Sequence, residues 1–232
     1  MTFVNRWLPA ITEAPIRRTA LGIAGLAVVG GAFAAPAVSV TGPDASSTST
    51  AAAVSVDVRA VERGQSSRVL DYQYKAQENF YYCAPAATRI ALSVQGPPPS
   101  QDEVAQRLGT TEAGTNSAED TTRVLNAAGG GVYRTVSVPG ETASPAEMDR
   151  LQVDVVRAIG AERAVVVNIK GTATDVDGIP HSYEGGHYLT VVGYDDHGRK
   201  VKIADPANPD QSVYWMSTVN LANWAAERGY SA

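Results

Sequence analysis

Apolar positions fall at helical spacing in the first part of the folded region and at strand spacing later. From Cys83 onward, Ala87, Ile90 and Ala91 share one side of a helix, and Pro85 sits in its first turn, where a missing N–H costs nothing. Ser100-Gln-Asp-Glu103 reads as a capping box, followed by Val104 and Leu108 at helical spacing and a stop at Gly109. Ser117 opens a further helix with Val124, Leu125 and Ala128 on one side, closed by Gly129-Gly130-Gly131. Ser144-Pro145-Ala-Glu147 starts another, carrying Met148, Leu151, Val155 and Ile159 to Gly160. Strands are expected at Val132 to Val138 and over the continuous apolar run Ala164 to Ile169. Tyr188 to Tyr194 and Arg199 to Ala204 flank Asp195-Asp-His-Gly198 as a hairpin. Val213 to Met216 is a last strand, and Ser217 caps a helix with Leu221 and Trp224. Helices in front and an antiparallel sheet behind make this an α+β domain without repeats.

The remaining chain divides by composition. Residues 1–34 read as an export signal: Arg6, Arg17 and Arg18 precede an uncharged apolar stretch from Thr19 to Phe33, and Ala32-Phe33-Ala34 sets cleavage before Ala35. An uncleaved anchor is the alternative; Sec export is preferred to the twin-arginine route. No cysteine near the cleavage site allows lipoprotein attachment. Residues 35–65, rich in Ala, Ser and Thr, form a low-complexity linker that cannot bury enough apolar area to offset backbone ordering. Residues 66–232 are the folded domain.

The formal charge of −5 becomes about −7 once the signal's three Arg and one Glu are removed. An acidic body excludes phosphate-backbone binding, so no nucleic-acid partner is expected. Cys83 is the sole cysteine, so the exported protein can form no internal disulfide. A thiol at a helix N-terminus meets unpaired N–H groups and the positive end of the helix dipole, which favour the nucleophilic thiolate. A buried structural cysteine would fit this segment equally well.

Gln77, the run Cys83-Ala-Pro-Ala-Ala, the segment Gly185-Gly-His-Tyr-Leu-Thr-Val-Val-Gly-Tyr-Asp-Asp196 and Ile203-Ala-Asp-Pro-Ala207 together resemble the bacteriocin-processing cysteine peptidases of the papain-like clan, over roughly residues 68 to 230. The family usually has Gly after the cysteine; Ala84 stands here and tightens the approach to the thiol. The resemblance implies a papain-like fold, a peptide or protein substrate, and neither cofactor nor metal. It makes Cys83 the nucleophile, His187 the acid and base, Asp205 the group orienting His187, and Gln77 the oxyanion donor beside the Cys83 N–H. Gln73 is the rival donor. His187 is expected just before a strand, with Gly185-Gly186 as a flexible lead-in. Counting the hairpin about Asp196–His197 sets His187 opposite residue 205 or 206, which supports the pairing independently of the resemblance. His181 is expected in a loop and His197 in a solvated turn.

Other chemistry is weaker. Asp175-Val-Asp177-Gly178 opens like a calcium loop but lacks its later acid, and reads as a solvated loop. Phe80, Tyr81 and Tyr82 either line a substrate groove or pack on the sheet. The expected protein is a secreted or wall-associated cysteine peptidase without stable membrane insertion after signal cleavage, its oligomeric state open. The alternatives are a non-catalytic binding module on the same fold, a cell-wall peptide amidase, whose Asp-Cys-Ser-Gly is replaced here by Tyr82-Cys-Ala-Pro85, and a transamidase.

Overall fold

The computed structural model describes residues 65–232. The expected signal and all but the last residue of the linker lie outside them. The long apolar run becomes β3 (Val165–Thr174), which pairs antiparallel with β4 (Pro180–Asp195). Around this pair are β1 (Arg68–Val69), β2 (Thr135–Val136), β5 (Lys200–Ala204), β6 (Val213–Ser217) and β7 (Gly229–Ser231). The sheet runs β2-β7-β3-β4-β5-β6, with β1 also on β4, and every pairing is antiparallel. Val165, Val166 and Val167 are buried in succession, as are Val191 and Val192. Successive strand side chains point to opposite faces, so both faces of the central strands are covered.

Five helices supply the cover: α1 (Cys83–Leu92), α2 (Gln101–Leu108), α3 (Ala118–Gly129), α4 (Pro145–Gly160) and α5 (Thr218–Trp224). The capping boxes at Ser100 and Ser144 form as expected, each serine accepting from the N–H of the glutamate three residues on. In α1 the small buried residues Ala84, Ala87 and Ala91 bring the helix close against β4, where the Thr190 hydroxyl donates to Ala87 O at 2.8 Å.

Several expectations need correction. The strand expected over Val132 to Val138 shrinks to β2, because Asn126 takes the ladder's place at Tyr133: its Nδ2 donates to Tyr133 O at 3.0 Å, and its Oδ1 accepts from Tyr133 N at 2.7 Å. The strand expected to begin at Tyr188 begins at Pro180. Its first half alternates buried His181, exposed Ser182, half-buried Tyr183 and exposed Glu184, a period of two without aliphatic residues to display it. His181 is therefore strand, not loop. β7 had no expected counterpart.

Candidate active site

Cys83 is the first residue of α1, and the first helical bond, Ala86 N–H to Tyr82 O at 2.9 Å, spans it. Pro85 contributes no N–H, so Cys83 and Ala84 keep first-turn donors with no intrahelical acceptor. Ala84 is fully buried in the core, so its methyl does not crowd the approach to the thiol as the sequence led us to expect.

His187 lies within β4, opposite Ile169, and not before a strand. Between the Ile169–His187 and Gly171–Tyr183 pairs, one residue of β3 faces three of β4, Glu184, Gly185 and Gly186. This bulge, in which Gly186 has φ +92°, replaces the expected flexible lead-in. It folds the strand so that Tyr183 stacks on His187, ring centroids 4.0 Å apart and planes 18° apart. Residues four apart on a regular strand lie about 13 Å from each other.

His187 Nε2 lies 2.8 Å from Asp205 Oδ1, and both residues are almost fully buried. The expected register is off by one. The hairpin pairs Asp195 with Lys200, centring its turn between His197 and Gly198; a bulge between Val191 and Gly193 takes back one position, so Ala204 lies opposite Thr190 and 207 is the position facing His187. Asp205 instead heads the turn after β5: Oδ1 also accepts from Ala207 N at 2.9 Å, and Oδ2 accepts from Tyr183 Oη at 3.0 Å and Tyr214 Oη at 2.9 Å. Burial pushes the Asp205 carboxyl up, but the hydrogen bond and charge of His187, helped by Ala207 N–H and Tyr214, hold it below the usual carboxylate range. Burial opposes the charged form of His187 as well. The hydrogen bond and charge of Asp205, together with the neighbouring Cys83, outweigh burial, and the His187 pKa is pushed up to about 9. With Nε2 held by Asp205, Nδ1 is the ring nitrogen left for the thiol.

Gln77 shares no hydrogen bond with the side chains of the other three. Its backbone N–H donates to Pro206 O at 2.9 Å, tying its loop to the residue after Asp205. Its Nε2 donates to Asn79 O at 2.8 Å, and Oε1 is buried without a partner. One Nε2 hydrogen remains for a ligand. Gln101, read in the sequence only as part of a cap, grips this loop from both sides: Nε2 donates to Ala76 O at 2.8 Å, and Oε1 accepts from Glu78 N at 3.0 Å. Gln73, the rival donor, is exposed.

A cleft of about 210 Å³ is lined by Cys83, His187, Gly185, Gly186, Asn168 and Tyr188, with Arg228 and the 113–116 loop completing it. Asn168 Nδ2 donates to Tyr188 Oη at 2.9 Å, and Tyr188 Oη donates to Thr115 O at 3.3 Å, which fastens that loop to the wall. A larger pocket of about 290 Å³, at Thr172, Asn220 and Trp224, contains none of the expected site residues. Phe80 is 81% exposed, with Tyr81 packed edge-on against it, so it does not pack on the sheet. His197 is exposed in the hairpin turn. Asp175 is buried rather than solvated: Oδ1 accepts from the N–H of Asp177 and of Ile179, and Oδ2 lies 3.0 Å from His181 Nε2. Among the described residues no group of three or more His, Cys, Asp and Glu is placed to hold a metal ion.

A thiol at a helix start, facing a sheet that brings imidazole and then carboxylate, keeps the chain order expected of a papain-like cysteine peptidase. The model of the Peptidase_C39 like family matches residues 69–232, and the chain belongs to that family of cysteine-type peptidases. Among solved structures it is similar to the peptidase domain of Streptococcus ComA, a bifunctional transporter, at 18% identity and a TM-score of 0.46, covering 68% of this chain and 96% of that one. It is also similar to a C39-like peptidase of Bacillus anthracis (12%, 0.47, 70% and 96%) and to xylellain, a cysteine protease of Xylella fastidiosa (15%, 0.48, 75% and 88%). No curated protein matches the sequence.

Proposed function

We propose that the protein hydrolyses peptide bonds outside the cytoplasm, with Cys83, His187, Asp205 and Gln77 as its machinery. The observation that carries this reading is the buried pair in which Asp205 occupies His187 Nε2, leaving Nδ1 to Cys83, which lines the same cleft as His187. Cys83 Sγ, as thiolate, attacks the substrate carbonyl carbon, and the carbonyl oxygen takes up the negative charge. The free Gln77 Nε2 hydrogen and the Cys83 N–H stabilise that oxygen. His187 Nδ1 gives its proton to the departing amine as the C–N bond breaks, leaving a thioester on Cys83. Nδ1 then takes a proton from water, whose oxygen attacks the thioester. The carboxylic acid leaves, and the proton on Nδ1 restores the imidazolium–thiolate pair. Asp205 keeps the ring in one tautomer and orientation throughout.

Export rests on the basic start, apolar stretch and Ala32-Phe33-Ala34 site of residues 1–34. The test is twofold. Cys83 alkylation by iodoacetamide should stay fast down to about pH 5 in the wild type and lose that plateau in His187→Ala. A random peptide library should be cleaved by the wild type and left intact by Cys83→Ala. Alkylation that rises only near the ordinary thiol pKa of about 8.5 in both proteins would overturn the mechanism. An intact library with a reactive Cys83 would overturn the peptide substrate.

A further inference from the structure

One cation in the cleft has no task in these steps. Arg228 follows α5 and directly precedes β7, and its half-buried side chain lines the cleft beside Gly186, His187 and Tyr188. Its Nε is buried without a hydrogen-bond partner. Among the described residues no carboxylate lies within ion-pair distance of it. A Cβ on Gly186 would lie 3.6 Å from Arg228 Nη2 and 3.8 Å from Cζ, so the guanidinium faces Gly186, next to His187. Neighbouring charges are not paired with it: Cys83 is committed to His187, and Glu119 of α3 makes no ion pair with Arg228. Burial keeps the Tyr188 phenol neutral, and Asp120 of α3 is paired with Arg123 at 2.8 Å. Nor is Arg228 part of a basic surface, since the chain has 24 acidic and 19 basic residues.

An unpaired buried N–H is costly, and a planar guanidinium is matched best by a carboxylate that accepts two parallel bonds. The way in is open: a Cβ on Gly114 or Gly185 would meet nothing within 4 Å. We propose that Arg228 anchors an anionic subsite that takes a carboxylate of the peptide substrate next to the scissile bond. This rests on the peptidase reading. The carboxylate comes from an Asp or Glu side chain or from the free C-terminus, which would make the enzyme a carboxypeptidase.

The first experiment needs no turnover. Cys83 is alkylated at pH 7 with iodoacetate and with iodoacetamide, Sγ displacing iodide in each. The iodoacetate-to-iodoacetamide rate ratio is expected to fall about tenfold in Arg228→Gln, the factor one charge-assisted hydrogen bond supplies. It should be partly kept in Arg228→Lys, which retains the charge and guards against simple misfolding. An equal ratio in wild type and Arg228→Gln overturns the subsite.

The second experiment uses internally quenched peptide libraries with Glu, Gln or Lys fixed at each position in turn, made as free acids and as amides. Preference for Glu among the amides assigns a side-chain carboxylate; cleavage confined to free acids assigns the C-terminus. Either preference should vanish in Arg228→Gln, and Arg228→Glu should turn it toward Lys. Cleavage without acid preference overturns the subsite and leaves the peptidase reading intact. No cleavage at all, with an iodoacetate preference that Arg228→Gln abolishes, supports the subsite and overturns the peptidase reading.

Discussion

Asp205→Asn separates the charge of the triad from its shape. Asparagine keeps an oxygen near His187 Nε2 and the volume of the buried site, but removes the negative charge. In the wild type that charge and its hydrogen bond, with the neighbouring Cys83, overcome burial and lift His187 from 6.5 to about 9. The difference corresponds to about 3 kcal/mol favouring imidazolium. The depressed carboxyl of Asp205 reports the same interaction from the other side, so the two shifts are not added. Without the charge, burial is opposed only by Cys83 and a weaker neutral hydrogen bond from the asparagine oxygen, and the His187 pKa should fall by about 2 units or more.

Two assays read this. The upper limb of the pH–alkylation profile of Cys83, near pH 9 in the wild type, should move to near or below pH 7, and kcat/KM should drop by about a hundredfold or more. Stability follows the same ionisation. The folded pKa of His187 lies above its unfolded value, so the native state holds more protons between the two. The contribution is complete below about pH 6.5 and is lost as pH rises through about 9. Urea midpoints of the wild type should therefore decline across that window more steeply than those of Asp205→Asn. A variant with the wild-type upper limb and the same decline would refute the assignment of the His187 shift to Asp205.

Tyr183→Phe keeps the ring on His187 but removes one bond to Asp205 Oδ2, and should lower kcat about tenfold with little change in KM. Tyr183→Ala also uncovers the imidazole and should lower kcat further and shift the pH profile; equal kcat values for the two variants would deny the stacking a role. Gln101→Leu leaves Ala76 O and Glu78 N without their partner, and at about 1–3 kcal/mol per group should lower the melting temperature by roughly 5–15 °C, measured by calorimetry. Gly229→Ala should be at least as damaging, because a Cβ there would run into Val136 O and φ is +119°; a melting temperature within 2 °C or so of wild type would contradict the β2–β7 register. N-terminal sequencing of protein recovered from the medium should begin at Ala35, and a chain starting at Met1 would remove the export proposal.

What the sequence disclosed depended on how local each signal is. The caps of α2 and α4 are written in four consecutive residues, and both elements appear where Ser100 and Ser144 place them. The apolar run that becomes β3 is self-evident for the same reason. The opening half of β4 is not, because pairing with β3 holds it there while His181 and Tyr183 stand in for aliphatic residues. β7 is three residues inserted between β2 and β3, a pairing nothing nearby in the chain announces.

The same distinction runs through the site. Cys83, His187 and Asp205 stand in recognisable surroundings, whereas Tyr183 and Tyr214 reach Asp205 from β4 and β6. The bulge at Glu184–Gly186 explains the Gly185-Gly186 pair better than flexibility does. Without it, Tyr183 and His187 would stand about four residues of strand apart and could not stack. With it, one aromatic ring both covers the imidazole and donates to the carboxylate behind it. The glycines also leave the cleft wall bare, so the turn that orders His187 keeps Arg228 within reach of a ligand. Replacing Gly186 would therefore act on both at once: φ +92° strains any side chain there, and its Cβ would sit against the guanidinium.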